Sequence, residues 1–284
     1  MSNVEASIQE KIKKVGLPLA QWQVNIYRGI LTGYNQAFII DDGIKEQLIK
    51  EDPRSAELIR PILRGRDIQR FSYDFANLWL ICTFPSRHYN IDDYPAIKKY
   101  LLSYGIERLE QSGKRYIIAG REVKARKKTN NMWFETQDSI NYWNDLSMQK
   151  IVWGEISDKP KFAIDINGEY IPEATTFMMT GDHLKYLLCI LNSTFSEYYF
   201  AKIGTTTGMG TLRWKKYLIE TLPIPKTSEK DIYECEHMLD LILESSENDR
   251  ALYIHMLNET IYSMLGFTDE EIAAIEEIVA QGAH

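Results

Sequence analysis

The stretch from Phe162 to Tyr199 constrains the fold more than any other, because two hydrophobic periods meet there. Phe162, Ile164 and Ile166 alternate with other residues, Asn167-Gly168 follows, and Tyr170 comes next. Period-two alternation around two residues that tolerate positive φ predicts a β-hairpin. Ala174–Met179 reads as a further strand. After Asp182, a helix N-cap by residue type, the spacing of Leu184, Leu187, Leu188, Leu191, Phe195, Tyr198 and Tyr199 changes to that of a helix. Strands and an apolar helix this close in sequence must bury one another, so the fold class is α+β.

The rest of the chain agrees with that class. Ile8, Ile12 and Val15 predict an opening helix stopped by Gly16 and Pro18. Strands are expected at Ala37–Ile40, Asn77–Thr83 and Lys150–Ile156, and helices at Ile44–Lys50, Ala56–Leu63 and Ala96–Leu109. Three amphipathic helices close the chain, near Lys230–Leu243, Arg250–Leu265 and Asp269–Val279, the last opened by the capping-box pair Thr268 and Glu271.

Charge divides the chain. Of 33 basic and 40 acidic residues, Thr227–His284 holds 14 acids and 2 bases, which leaves Met1–Lys226 with a net charge of +5. The break falls at Leu222-Pro223-Ile224-Pro225, so two domains are expected, 1–226 and 227–284, the second an acidic helical subdomain. Within the first, Arg108–Lys128 carries eight bases against Glu110 and Glu122. At 44% hydrophobic the chain can bury a core, and no apolar run approaches the ~20 residues of a membrane span. Residues 1–16 do not read as a signal or transit peptide. Cys82, Cys189 and Cys235 stand far apart, as reduced core thiols of a cytoplasmic protein do.

Catalytic motifs are scarce. There is no nucleophile elbow and no His-Glu-x-x-His, and the glycines at 204, 208 and 210 lack the Lys-Ser/Thr of a P-loop. Glu122-Val-Lys124 has the Glu-x-Lys spacing of magnesium-dependent nucleases, a tripeptide that also occurs often by chance on solvated faces. Binding signals are richer. Arg121, Lys124, Arg126, Lys127 and Lys128 are followed by Asn130, Asn131, Trp133 and Phe134. Lysines and arginines neutralise phosphates, and paired amides can read adenine. A charged surface loop would show the same composition. Thr205, Thr206 and Thr207 lie among the glycines, where the backbone can approach a nucleic acid and Arg213 can reach a phosphate or base edge.

Several segments together resemble one family. Gly29-Ile-Leu-Thr32-Gly33-Tyr34-Asn35-Gln-Ala37-Phe38, Ile59-Arg-Pro61-Ile-Leu-Arg64-Gly65-Arg66-Asp67-Ile68 and Lys150-Ile-Val-Trp153-Gly-Glu155-Ile156 are similar to the TaqI-like C-terminal specificity domain of adenine-N6 DNA methyltransferases and fused restriction–methylation enzymes. Leu187-Leu188-Cys-Ile-Leu191-Asn192-Ser193, Tyr198-Tyr199-Phe200, Arg213 and Leu222-Pro223-Ile224-Pro225 continue the series in family order. The resemblance implies a mixed-sheet target-recognition domain that reads duplex DNA. A separate catalytic domain then methylates a flipped adenine with S-adenosylmethionine, and an endonuclease domain would use magnesium. The catalytic tetrapeptide of that family, Asn/Asp-Pro-Pro-Tyr/Phe, is missing; Asp52-Pro53-Arg54 and Leu222-Pro223-Ile224 lack the doubled proline.

The sequence therefore predicts a non-catalytic recognition module, with no cofactor of its own, that is either part of a longer enzyme or a separate subunit. Its expected DNA face comprises Arg28, Thr32, Tyr34, Asn35, Arg121, Lys124, Arg126, Lys127, Lys128, Asn130, Asn131, Thr205, Thr206, Thr207 and Arg213. Arg64, Arg66 and Arg70 are secondary candidates, since Arg-Gly-Arg can equally be a turn bonded to carboxylates. The expected partners are duplex DNA and a methyltransferase or endonuclease domain, with no membrane. The alternatives are a magnesium-dependent nuclease using Glu122 and Lys124, and a protein-interaction domain docking through its acidic helices.

Overall fold

A computed structural model describes residues 3–203 and 212–281. In chain order its helices are α1 (Asn3–Val15), α2 (Asn35–Phe38), α3 (Asp42–Glu51), α4 (Pro95–Leu102), α5 (Ile106–Leu109), α6 (Leu184–Leu191), α7 (Thr194–Ile203), α8 (Lys216–Ile219), α9 (Glu229–Glu244), α10 (Glu247–Leu265) and α11 (Asp269–Gln281). The architecture is α+β, built on two four-stranded sheets.

The first sheet is antiparallel throughout. It contains β2 (Val24–Arg28), β8 (Lys150–Gly154), β10 (Phe162–Asp165) and β12 (Thr176–Gly181) in the order β10-β8-β12-β2. Both faces are covered, so β8, β10 and β12 are buried along almost their whole length, while the edge strand β2 exposes Asn25 and Arg28. Ile151, Trp153, Phe162, Ile164, Phe177 and Met179 face a layer formed by α1, α6, α7 and the three C-terminal helices. Val152, Ala163 and Met178 face the second sheet, where β11 (Ile171–Pro172) runs parallel to β4 (Ile59–Leu63), followed by β5 (Leu78–Ile81) and β3 (Ile39–Asp41). Smaller ribbons pair β1 (Gly16–Pro18) with β14 (Pro223–Pro225), β6 (Arg115–Ile118) with β7 (Arg121–Lys124), and β9 (Ile156–Ser157) with β13 (Leu212–Arg213).

The turn at Asn167-Gly168 forms, with Gly168 at φ +66°, but it does not close a hairpin. The chain crosses instead from β10 in one sheet to β11 in the other. The buried carboxylate of Asp165 directs the crossing: it accepts the backbone N–H groups of Glu169 and Tyr170 and pairs with the Lys150 ammonium at 2.7 Å. Arg60 holds the carbonyls of Gly168 and Glu169. Burial lowers the Lys150 pKa and the Asp165 charge opposes that shift.

Four other local expectations are corrected. Ile59–Leu63 is a strand rather than a helix, and Ala37–Phe38 belongs to a helical turn before β3. Gly105, at φ +86°, breaks the 96–109 helix into α4 and α5. Asp182 caps nothing; His183, in the left-handed region, precedes α6 without a side-chain cap.

The opening helix, the central strands and the three closing helices stand where the sequence put them. Thr268 and Glu271 form the capping box, and Glu271 also accepts from Ser7 and Lys11 of α1, both at 2.6 Å. Leu239, Ile261 and Ile275 of the closing helices share one core with Ile8, Leu187 and Phe195. Cys82, Cys189 and Cys235 are buried free thiols.

Candidate nucleic-acid interface

The crossover at residues 173–175, where the chain passes from the second sheet back to the first, organises much of the expected site. Both sides of it are clamped by the exit of β2: Gly29 N–H donates to the Thr176 carbonyl and Ile30 N–H to the Pro172 carbonyl, each at 2.8 Å. A Cβ on Gly29 would stand 2.0 Å from the Glu173 carbonyl oxygen, which is why glycine is needed in Gly29-Ile-Leu-Thr32.

Side chains converge on this crossover. Arg28 Nε donates to the Ala174 carbonyl at 2.9 Å, and its guanidinium is otherwise exposed. Asn35 Nδ2 reaches Glu173 Oε1 at 3.4 Å, while Glu173 Oε2 accepts from Thr175 Oγ1 at 2.6 Å. On the far side, Glu155 N–H donates to the Thr175 carbonyl, and the Glu155 carboxylate faces the exposed Arg213 at 3.7 Å. Here Gly65 and Gly154 touch backbone to backbone, and a cleft of about 470 Å³ opens between Arg66, Glu155, Asp158 and Lys161.

Asn35 leads to the second half of the site. Thr32 Oγ1 donates to Asn35 Oδ1 at 2.6 Å and accepts from Tyr34 N–H at 3.0 Å. The Arg108 guanidinium lies 3.8 Å from the centre of the Tyr34 ring and donates to the Lys124 carbonyl at 2.8 Å. Contacts thus run without a break from Arg213 through residues 155, 173–175 and 32–35 to the basic segment. There β6 and β7 form an exposed two-stranded hairpin, turned at Ala119 (φ +48°) and Gly120 (φ +77°), the φ signs of a type I′ turn.

Arg126 is not part of the exposed basic surface. It is 2% exposed, and its guanidinium donates to four backbone carbonyls: Leu109 at 2.6 Å, Thr32 and Glu135 at 2.7 Å, and Trp133 at 2.8 Å. Burial lowers its pKa to about 10, with the nearby Arg108 charge adding to the shift. Thr32 is fully buried too, so both residues position their neighbours rather than meeting a ligand. Asn131 uses its amide on the Gln137 and Thr136 carbonyls, which leaves Asn130 as the exposed member of the pair. Arg121, Lys124, Lys127 and Lys128 are exposed, and their side chains make no hydrogen bond or ion pair among the described residues.

Of the secondary candidates, Arg64 grips Asp67 through Nε at 2.9 Å and Nη2 at 2.6 Å, and Arg70 donates to the Asn192 carbonyl. Arg66 alone is exposed. Thr205, Thr206 and Thr207 lie outside the described residues. Glu122 is held by Arg115 at 3.2 Å, and among the described residues no three His, Cys, Asp or Glu side chains are grouped to hold a metal ion. No helix among them is long and apolar enough to cross a membrane.

Sequence reasoning passed over Arg108, Glu173 and the Ala119-Gly120 turn. The concentration of bases from Arg108 onward, and Ile-Ile-Ala-Gly-Arg between basic residues, were the available signals for the first and third; Glu173 carried none.

The profile of the TaqI-like C-terminal specificity domain matches residues 60–224. No curated protein matches the chain. Among solved structures, the type IIL restriction-modification enzyme MmeI in complex with DNA is similar over 93% of this chain and 36% of its own, with a TM-score of 0.59 and 14% identity. The type IIG restriction endonuclease BpuSI is similar over 99% of this chain and 33% of its own, with a TM-score of 0.56 and 11% identity. The chain thus spans about a third of the length of either enzyme.

Proposed function

Because the chain belongs to the family of TaqI-like C-terminal specificity domains, we propose that it is the sequence-reading module of a restriction–modification system. In this reading it binds duplex DNA and is non-catalytic by itself. The observation that carries the proposal is the unbroken run of contacts linking Arg28, Asn35 and Arg213 at the 173–175 crossover to the exposed Arg121, Lys124, Lys127 and Lys128. Cations without internal partners neutralise phosphates and fix register, while exposed Asn35, Asn130 and Arg66 offer groups that can bond base edges. The DNA complex reported for MmeI supports the same use of this fold.

Adenine-N6 methylation, with S-adenosylmethionine, falls in this proposal to a separate or fused catalytic domain, since the chain has no Asn/Asp-Pro-Pro-Tyr/Phe tetrapeptide. Cleavage and its magnesium fall likewise to an endonuclease domain. Residues 227–284 would form the side turned away from DNA, because their 14 acids repel a polyanion. Their exposed Tyr233, Leu252 and Met256 suit a protein neighbour. Selection from a randomised duplex library by the full chain tests the proposal: one short site should be enriched, and recovery without enrichment overturns it.

A further inference from the structure

The β6–β7 hairpin carries a feature that phosphate binding does not require. Ile117 is 74% exposed, the highest value among the large hydrophobic side chains of the described residues, and Ile118 next to it is 43% exposed. A lone exposed aliphatic residue is ordinary. Two at the end of a projecting ribbon are not, because an apolar strand edge invites aggregation unless charge guards it. Charge is present: the ribbon and its flank carry Lys114, Arg115, Arg121 and Lys124, against Glu122, paired to Arg115, and Glu110 at the base.

The register sorts these residues by face. Arg115 pairs with Lys124 and Ile117 with Glu122 on one face; Tyr116 pairs with Val123 and Ile118 with Arg121 on the other. Tyr116 and Val123 are half-buried, and the Tyr116 hydroxyl donates to Glu110, which ties the base of the ribbon to the body. The tip stands free: a Cβ on Gly120 would meet nothing within 4 Å. The exposed face therefore presents Ile117 and Glu122 side by side beyond Arg115 and Lys124, with Arg115 ion-paired to Glu122 at 3.2 Å.

We infer that this hairpin enters the major groove of duplex DNA, with Ile117 packed against a thymine 5-methyl group while Lys124, and Arg115 on exchanging Glu122 for a phosphate, lie along the flanking backbone. A two-stranded ribbon fits a groove ~12 Å wide, and the thymine methyl is the apolar group that the four bases display there. The excess of cations around Ile117 selects a polyanion over a protein as the partner. This inference rests on the DNA-binding proposal above and adds a base contact to it.

The test uses the full chain, the selected duplex, and versions in which each thymine of the site is replaced in turn by deoxyuridine, which lacks the methyl. For the unaltered protein one replacement should weaken binding by about threefold to tenfold, the scale of a single buried methyl. Ile117→Ser should weaken binding to the thymine duplex by about the same factor and no longer respond to that replacement, with an unchanged salt slope. Ile117→Val should keep most of the response, and Ile118→Ser all of it. Uniform indifference to deoxyuridine, or an equal response in Ile117→Ser, overturns the inference while leaving DNA binding intact. A reduced salt slope in Ile117→Ser also overturns it, by showing that the residue only holds the hairpin in shape. Failure of the unaltered protein to bind any duplex overturns the parent proposal instead.

Discussion

The guanidinium of Arg126 donates to the backbone carbonyl of Thr32 at 2.7 Å, joining two segments 94 residues apart in sequence. With Leu109, Trp133 and Glu135 as its other acceptors, one side chain fixes the loop that carries Tyr34 and Asn35 to the base of the basic hairpin. Arg126→Met would leave four carbonyls to find new donors, and an unsatisfied buried acceptor costs about 1–3 kcal/mol. Denaturant unfolding should show a loss of about 3 kcal/mol or more. Arg126→Lys should recover only part of it, because three donors on one nitrogen cannot reproduce the planar fork.

Gly29→Ala should act on the other half of the site. Its Cβ would meet the Glu173 carbonyl oxygen at 2.0 Å, and the obstacle is backbone, so the crossover must move. We expect a stability loss of about 2–3 kcal/mol, together with weakened DNA binding under conditions where the variant remains folded. Gly120→Ala meets no neighbouring atom, yet its φ of +77° disfavours a side chain. It should loosen the hairpin tip and leave global unfolding almost unchanged.

Glu271 gives the fold a measurable pH dependence. Burial alone would raise its pKa, but the hydrogen bonds from Lys11, Ser7 and the Thr268 N–H, with the Lys11 charge, bring it down to about 2. A carboxyl with a folded-state pKa below its unfolded value stabilises the protein above the unfolded value and loses that contribution as pH falls toward the folded one. Thermal unfolding from about pH 6 to about pH 2 should therefore show the unaltered protein ahead of Glu271→Gln at the upper end, the difference shrinking below about pH 4.5.

These local devices also show which parts of the molecule could be read from sequence. The Thr268–Glu271 capping box, the helices on either side of it and the strands near Trp79 and Trp153 are set by neighbours a few residues away, and the chain displays them openly. Asn167-Gly168 displays a turn just as openly. The path of the chain beyond that turn depends on Lys150 and Arg60, from other strands, which take hold of Asp165 and the turn carbonyls. The site shows the same divide. Thr32, Tyr34, Asn35 and Arg213 were legible as parts of a familiar series, and their link through Glu173 and Glu155 arises only when the two sheets meet. Arg126 stands in an unbroken run of bases, and nothing in that run marks it as the one turned inward. That choice is made by carbonyls from three other segments, at Thr32, Leu109 and Trp133–Glu135.

The most direct measurement is the affinity of the full chain for a short duplex as salt is raised from ~50 to ~200 mM. If the exposed cations at 28, 121, 124, 127, 128 and 213 meet ~6 phosphates, log K should fall against log salt with a slope near −5, a loss of about three decades over that range. Lys127→Ala with Lys128→Ala should reduce the slope by about 2 without shifting the unfolding transition. A slope near zero in the unaltered protein, or one that the double substitution leaves unchanged, would contradict the account.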